Sequence, residues 1–228
     1  MKALILAAGK GSRLGAITSD VPKVLLPIKG QPLLDILIRK LINLNFESII
    51  INTFYKAKMV EDFLMAQDYT NLIQIAPEQN LLGTAGTLKK NLSSLGEDHF
   101  LVMHGDNYFY DDLKGLLNFH KSDKSNSLMT MGTFISQLPE KCGVVQVNGE
   151  SFITNFYEKA KNPPTNIANT AIYVFRKESK KIISELTPNE TDISLHLIPK
   201  FLGQCKSFQL SGEFTDIGTP ESYYLVKG

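Results

Sequence analysis

The sequence has few cysteines and almost no net charge, and each shortage removes the case for a class of protein. Its two cysteines, Cys142 and Cys205, belong to no CxxC or Cys/His ligand pattern. We therefore expect two buried, reduced thiols rather than a disulfide framework or a zinc site. A net charge of +1 offers no broad basic surface for nucleic acid or for an acidic membrane.

Long apolar segments are also missing. No stretch approaches the roughly 20 apolar residues that a membrane helix needs. The apolar start is too short for a signal peptide, and it runs into a glycine-rich turn where a cleavage site should follow. We expect a cytoplasmic protein that binds neither membrane nor nucleic acid. A hydrophobic share of 43% in 228 residues suits one α/β domain over 1–228.

Apolar runs alternate with amphipathic segments in the first half of the chain, as in parallel βαβ units. The expected strands are 3–8, 48–54, 72–76 and 100–104, and the expected helices are 32–44, 56–66, 84–92 and 111–120. Four closely spaced runs then predict a small antiparallel extension: 128–134, 143–147, 152–157 and 171–175. Helices at 178–186 and 193–201, a strand at 207–210 and a helix from Pro220 follow. The predicted fold class is a single-domain, Rossmann-like αβα sandwich with a mixed, mainly parallel central sheet.

A glycine-rich segment at 7–14, AAGKGSRL, follows the first expected strand. Ligands of open parallel sheets gather at such carboxyl ends. Gly9 and Gly11 would let the backbone approach a polyphosphate, and the forked cation of Arg13 suits phosphate oxygens. A dinucleotide fingerprint would need glycine at Leu14, and the first glycine of a P-loop is missing. Alone, the segment leaves a purely structural turn open.

The following residues resemble the signature of the sugar-1-phosphate nucleotidyltransferases, GxGTRL followed by PKxLLP. The chain has GKGSRL, then Pro22–Lys23 and Leu26–Pro27, and Ser12 keeps the hydroxyl of the family's Thr. A lone lysine is usually a solvated surface group, but the proline before Lys23 fixes its approach. The resemblance implies that Arg13 and Lys23 are catalytic. It also implies that the nucleotide contacts Leu6, Ala8, Gly9, Gly11 and Ser12.

The resemblance continues in order along the chain. The family's LGTAG segment corresponds to 82–86, which makes Gly83 and Thr84 nucleotide contacts; capping of a helix start is a compatible role for the same residues. Asp106 in HGDN and Asp216 in FTDIGTPESY match the positions that hold Mg²⁺, a cation that prefers carboxylate and phosphate oxygens. An aspartate at the end of a strand is also a common turn former.

Four further residues match the family's acceptor site: Gly143 of GVV, the pair Glu158 and Lys159, and Asn169 of NTAIYVF. The glutamate typically accepts hydrogen bonds from sugar hydroxyls, and the lysine neutralises the acceptor phosphate. A neighbouring Glu and Lys on a strand is also common without any function. Ala171 replaces a frequent glycine, which places a methyl group in a crowded position.

The resemblance implies that a sugar 1-phosphate attacks the α-phosphorus of an NTP and releases pyrophosphate. A phosphate monoester has its second pKa near 6, so no general base is needed and no histidine receives a role. Glu78 lies five positions before Gly83, where thymidylyl- and uridylyl-transferring relatives carry Gln. A carboxylate only accepts hydrogen bonds, and guanine offers two adjacent donors. The LGTAG and FTDIGTPESY segments also resemble the branch of the family that uses GTP with mannose- or heptose-1-phosphate, so this substrate pair is favoured.

Several alternatives stay open. The second interpretation is transfer from UTP or CTP to another sugar 1-phosphate or to a phosphocholine-like acceptor. The LGTAG and DIGTPESY segments argue against isoprenoid-pathway cytidylyltransferases. A catalytically inactive regulatory subunit that binds sugar nucleotides would be expected to have lost Arg13, Lys23, Asp106 or Asp216, and all four are present. Relatives often dimerise, so a homodimer is also an expectation, although no exposed apolar stripe marks an interface.

Overall fold

The computed structural model describes all residues, Met1–Gly228. They form two compact units: unit 1 is Met1–Leu81, Met103–Tyr110 and Glu213–Gly228, and unit 2 is Leu82–Val102 and Asp111–Gly212. The strands are β1 Lys2–Leu6, β2 Pro27–Ile28, β3 Gln31–Pro32, β4 Ser48–Thr53, β5 Ile73–Pro77, β6 Phe100–His104, β7 Asn107–Phe109, β8 Met129–Ile135, β9 Gly143–Val147, β10 Ile153–Glu158, β11 Ile167–Phe175, β12 Cys205–Gln209 and β13 Phe214–Asp216. The α-helices are α1 Leu33–Asn43, α2 Ala57–Met65, α3 Gly83–Lys90, α4 Lys114–Ser122, α5 Lys180–Ser184 and α6 Pro220–Lys227.

In unit 1 the strands β1, β4 and β5 pair in parallel, with Leu4 opposite Ile50 and Ile51 opposite Ile75. The predicted amphipathic helix is confirmed as α1, whose apolar face is buried: Leu33, Leu34, Leu37, Ile38 and Leu41. Successive apolar side chains of β1 and β4 are buried as well, as expected for strands covered on both faces.

Two short antiparallel ribbons in unit 1 were not predicted. The strand β2 pairs with β3, and β7 pairs with β13 so that Asn107 lies opposite Asp216. Ribbons of two or three residues a strand are too short to produce a hydrophobic period. The second ribbon nevertheless decides where Asp106 and Asp216 lie.

Unit 2 contains the antiparallel pairs β8–β11, β9–β10 and β9–β11, and β12 runs parallel to β8. The expected strand 171–175 begins earlier, at Ile167, and it carries an irregularity between Asn169 and Tyr173. The expected helix 193–201 is instead a π-helical turn, Ile193–Leu197, followed by a 3₁₀ turn, Ile198–Phe201. Parallel and antiparallel pairs together confirm a mixed-sheet α/β fold.

The expectation of two buried thiols is half right. Cys205 is buried in β12, whereas Cys142 is partly exposed, and both are free. Cys142 directly follows a 3₁₀ turn, Pro139–Lys141, where its sulfur lies 3.5 Å from the Ser136 hydroxyl. None of the helices combines the length and the apolar character needed to cross a bilayer.

Candidate active site

The glycine-rich segment of unit 1 forms a loop that begins where β1 ends. Gly11 has a φ of 63°, and a Cβ on it would lie 3.1 Å from Cβ of Lys23 and 3.2 Å from Thr18 Cγ2. Gly11 is therefore required by the fold of the loop itself. A Cβ on Gly9 would meet nothing within 4 Å, so no contact inside the chain demands a glycine there. Gly9 and Ser12 are exposed, while Ala8 is buried and Leu6 half-buried.

Lys23 is buried, with 5% of its surface exposed, which is uncommon for a lysine. Pro22 is extended, and Lys23 opens a 3₁₀ turn, Lys23–Leu25, that directs its side chain inward. Nζ donates to Oδ2 of Asp106 at 2.6 Å and to Oδ1 of Asp216 at 3.3 Å. The side chain therefore points away from solvent, as the preceding proline suggested, and its ammonium joins the two aspartates.

The two aspartates come together because two strand–turn connections meet in unit 1. Asp106 follows β6 after Gly105, whose N–H donates to the Leu6 carbonyl at 2.9 Å. Asp216 ends β13, and Ile217 N–H donates to the Asp106 carbonyl at 3.1 Å. This backbone ladder places both carboxylates beside the end of β1, next to the glycine-rich loop.

The charges in this cluster keep Asp106 ionised. Burial acts to raise the pKa of Asp106, but the nearby charge of Lys23, that of His104 and the Lys23 hydrogen bond outweigh it and lower that pKa. Nδ1 of His104 is 4.0 Å from Oδ1 of Asp106, and its buried Nε2 has no hydrogen-bond partner. Arg13 is mostly exposed, with Nη2 3.8 Å from Oδ2 of Asp216.

The donor set suits a hard divalent cation. Oδ2 of Asp106 and Oδ1 of Asp216 both lie within 3.3 Å of one point, the ammonium of Lys23. Mg²⁺ binds proteins through one or two carboxylates and takes its remaining ligands from water and substrate phosphates. Two converging carboxylates beside a candidate phosphate loop meet that requirement.

Gly218 belongs to this cluster, although sequence reasoning did not single it out. A Cβ on it would lie 2.7 Å from Nη2 of Arg13 and 2.9 Å from Oδ1 of Asp216. The absence of a side chain at Gly218 lets the guanidinium and the carboxylate approach each other. Gly218 stands in the DIGTP segment that the sequence analysis used, but a motif does not show which side chains from elsewhere in the sequence pack against its glycine.

Glu78 lies at the end of β5 in unit 1 and is buried, with 8% of its surface exposed. Its Oε1 accepts a hydrogen bond from Nδ2 of Asn52 at 2.9 Å, and Oδ1 of Asn52 accepts one from the Ala7 N–H at 2.7 Å. Two hydrogen bonds through Asn52 thus connect Ala7 of the glycine-rich loop to Glu78, the residue expected to recognise the base. Asn52 was not predicted, since one asparagine in an apolar strand gives no pattern.

Gly83 and Thr84 lie in unit 2, at the start of α3. Gly83 has a φ of 75°, and a Cβ on it would collide with the Thr191 carbonyl oxygen, so the position requires glycine. The expectation that Thr84 caps the helix is wrong, because Leu82 is the N-cap and no side chain caps it. The Thr84 hydroxyl instead accepts from the Ile193 N–H at 2.8 Å, which holds the π-helical turn against α3.

The predicted acceptor residues Gly143, Glu158 and Lys159 come together in unit 2. Glu158 pairs with Gly143 across β9 and β10, and a Cβ on Gly143 would lie 2.7 Å from Oε2 of Glu158. Nζ of Lys159 is 3.4 Å from Oε1 of Glu158 and largely exposed. A carboxylate and an ammonium that lie side by side offer an acceptor and a donor to a phosphorylated sugar.

Asn169 is used by its own strand. Its Oδ1 accepts from the Ala171 N–H and its Nδ2 donates to the Tyr173 hydroxyl, both at 2.8 Å. These bonds span the irregularity in β11, where Ala171 has a φ of 54°. A left-handed backbone accounts for the glycine that the family often has there. Contact of Asn169 with an acceptor stays a prediction.

Comparison with known proteins identifies the class to which this fold and site belong. The model of the nucleotidyl transferase family matches residues 2–227, and the chain belongs to this family. It is similar to the D-glycero-alpha-D-manno-heptose 1-phosphate guanylyltransferase of Aneurinibacillus thermoaerophilus, with 31% identity over 98% of this chain and 95% of that protein. It is also similar to the UTP–glucose-1-phosphate uridylyltransferase of Synechocystis sp., with 29% identity over 100% of this chain and 63% of that protein.

A solved structure agrees with the fold. HddC from Yersinia pseudotuberculosis, complexed with GMP-PN, superposes with a TM-score of 0.81 at 28% identity, over 99% of this chain and 97% of that chain. This match confirms the predicted α/β fold class with a mixed central sheet. Several other curated relatives are longer, and the chain spans 52% and 62% of the length of two of them.

Proposed function

We propose that the chain transfers a nucleoside monophosphate from an NTP, with GTP favoured, to a sugar 1-phosphate and releases pyrophosphate. The observation that carries this proposal is the buried ammonium of Lys23 between Asp106 and Asp216, beside a glycine-rich loop, in a chain of the nucleotidyl transferase family. A lysine and two carboxylates at the end of a parallel strand suit a triphosphate with its counter-ion.

In the proposed reaction, a phosphate oxygen of the acceptor forms a bond to the α-phosphorus. The bond from that phosphorus to the oxygen bridging to the β-phosphate breaks, and its electron pair leaves with pyrophosphate. The acceptor monoester is largely dianionic at neutral pH, so no residue has to remove a proton.

The residues have to hold two polyanions in line and offset the charge that develops at phosphorus. In unit 1 Lys23 and Arg13 supply positive charge, and in unit 2 Lys159 does so for the acceptor phosphate. Asp106 and Asp216 would hold Mg²⁺, which neutralises phosphate charge when it is bound.

Glu78 supports GTP as the nucleotide. Its carboxylate accepts hydrogen bonds, and guanine presents two adjacent donors on one edge. One similar protein described above is named as a guanylyltransferase, and the structure of another is a complex with GMP-PN. UTP is the second candidate, because a relative named for UTP is similar to this chain at nearly the same identity, 29%.

A cytoplasmic location accords with two free cysteines in a chain that uses nucleoside triphosphates.

Pyrophosphate release from each of the four NTPs, with mannose-, heptose- and glucose-1-phosphate as acceptors, tests the proposal. GTP with mannose- or heptose-1-phosphate should give the fastest release. Turnover with UTP alone would keep the transferase class and overturn GTP. No turnover with any pair would contradict the transferase and favour a regulatory subunit that only binds sugar nucleotides.

A further inference from the structure

Asn52 occupies a position in unit 1 from which it contacts two parts of the candidate nucleotide site at once. It lies near the carboxyl end of β4 and is 3% exposed. Its side-chain amide bonds the Ala7 N–H on one side, at 2.7 Å, and Oε1 of Glu78 on the other, at 2.9 Å. The Glu78 N–H also donates to the Thr53 carbonyl at 2.9 Å, so the backbone beside the carboxylate is fixed as well.

The orientation of the Asn52 amide is fixed by chemistry. A backbone N–H can only donate, so the atom that faces Ala7 has to be the oxygen Oδ1. The NH₂ group therefore faces Glu78 and donates to it. Because the Ala7 N–H determines the orientation of the Asn52 amide, the NH₂ group of Asn52 faces the Oε1 position of residue 78 whichever side chain stands there.

We propose that Asn52 is a positioning residue for base selection, which orients the side chain of residue 78 toward the nucleotide base. This inference rests on the proposed function, in which Glu78 recognises the base. Asn52 acts through Glu78 and through the backbone of the loop, and it contacts no substrate itself. The same amide thereby keeps the base-reading carboxylate and the start of the phosphate loop at a constant separation.

The proposal predicts what an amide at residue 78 would do. In Glu78→Gln the donor of Asn52 should attract the new carbonyl oxygen, which turns the new NH₂ group to the place of Oε2. A donor then stands where the native chain has an acceptor. The new NH₂ group would then face the donors of guanine without a hydrogen bond, whereas it could donate to a carbonyl oxygen of uracil.

Exchanging the two groups should reverse that effect. In the double variant N52D/E78Q the carboxylate at position 52 can accept from both the Ala7 N–H and the amide at position 78. The NH₂ group then turns toward position 52, and a carbonyl oxygen returns to the place of Oε2. The exchange replaces each side chain by its isostere and leaves the number of carboxylates unchanged.

The test measures dissociation constants of GTP and UTP by calorimetry, without acceptor, for the native chain, E78Q and N52D/E78Q. We expect E78Q to lower the preference for GTP over UTP about tenfold, and the double variant to recover most of it. Asn71→Asp, on an exposed asparagine of unit 1, controls for a newly introduced carboxylate. A merely structural role of Asn52 would not produce a reversal.

The outcomes separate the two proposals. If the native chain binds neither nucleotide, the proposed function fails and this inference fails with it. If it binds either one and the double variant shows no return relative to E78Q, only the role of Asn52 is overturned. Should the double variant not fold, Asn52→Ala replaces it: an altered GTP-to-UTP ratio supports positioning, and an unaltered ratio with lower thermal stability overturns it.

Discussion

Nζ of Lys23 lies 2.6 Å from Oδ2 of Asp106, although the two residues are 83 positions apart in the sequence. Only 6% of the surface of the Lys23 side chain is exposed, and its Nζ also lies 3.3 Å from Oδ1 of Asp216. A buried ammonium is costly unless groups of opposite charge compensate it, and here both of those groups are candidate metal ligands. The cluster therefore combines the groups that the proposed reaction needs.

Replacing Lys23 by alanine should reduce pyrophosphate release by about 10²–10³, because a preorganised positive charge is lost. Asp106→Asn should cause a loss of similar size. Both variants should remain folded, with the free energy of unfolding lowered by about 1–3 kcal/mol where a partner is removed from a buried group. Turnover and thermal denaturation measure the two effects separately.

Lys58→Ala is the matched control, since Lys58 pairs only with Asp62 on the exposed side of α2. It should leave turnover unchanged and stability within about 0.5 kcal/mol. Near-native turnover in K23A or D106N would remove that residue from the catalytic set.

Gly218→Ala should impair catalysis without unfolding the chain. The added methyl group would lie 2.7 Å from Nη2 of Arg13 and 2.9 Å from Oδ1 of Asp216, and both are ends of side chains that can move. We expect about a tenfold lower turnover, from displaced charges, with the free energy of unfolding changed by less than about 1 kcal/mol. Gly149→Ala, where a Cβ meets nothing within 4 Å, should be neutral. Equal turnover in the two variants would contradict this assignment.

Ala171→Gly should stabilise the chain. Ala171 has a φ of 54°, a left-handed backbone that costs an L-residue about 1–2 kcal/mol, while the freer unfolded chain offsets part of the gain. A net increase of about 0.5–1 kcal/mol in the free energy of unfolding is expected from urea titration. Ala168→Gly in the same strand should have the opposite sign, because Ala168 is buried in extended backbone. A destabilised A171G would show that the position is not strained.

Acidification should destabilise unit 2 through His120. This histidine is buried, with Nδ1 2.8 Å from the Thr130 hydroxyl and Nε2 2.9 Å from Nδ1 of His99. Burial, then the charges of His99 and Arg176, lower the pKa of His120 to about 3. The unfolded chain keeps a pKa near 6.5, so between these values only the unfolded chain takes up the proton.

The contribution of His120 to the free energy of unfolding is therefore complete above about pH 6.5. It declines below that pH and is lower by about 2 kcal/mol at pH 5. Urea unfolding at pH 7, 6 and 5 measures this slope above the range in which carboxyl groups titrate. His120→Gln should flatten the slope. A variant that retains the native pH dependence would assign the effect to other groups.

The sequence alone determined most of the regular elements and predicted the residues of the candidate site. The buried face of α1, the strand Phe100–His104 and the parallel first half follow from local periodicity, which the fold preserves. The family's residues at Lys23, Asp106 and Asp216 could be read because each stands in its own contiguous motif. The extent of one domain over 1–228 and the choice of GTP stay predictions.

Only the tertiary structure decided how those residues meet. The β7–β13 ribbon, too short for any sequence period, brings Asp216 beside Asp106, and both carboxylates accept hydrogen bonds from the ammonium of Lys23. Asn52 became part of the site through two hydrogen bonds that join β4 to residues far away in sequence. Periodicity and motifs report neighbours along the chain, whereas contacts between distant residues depend on register and on the closure of loops.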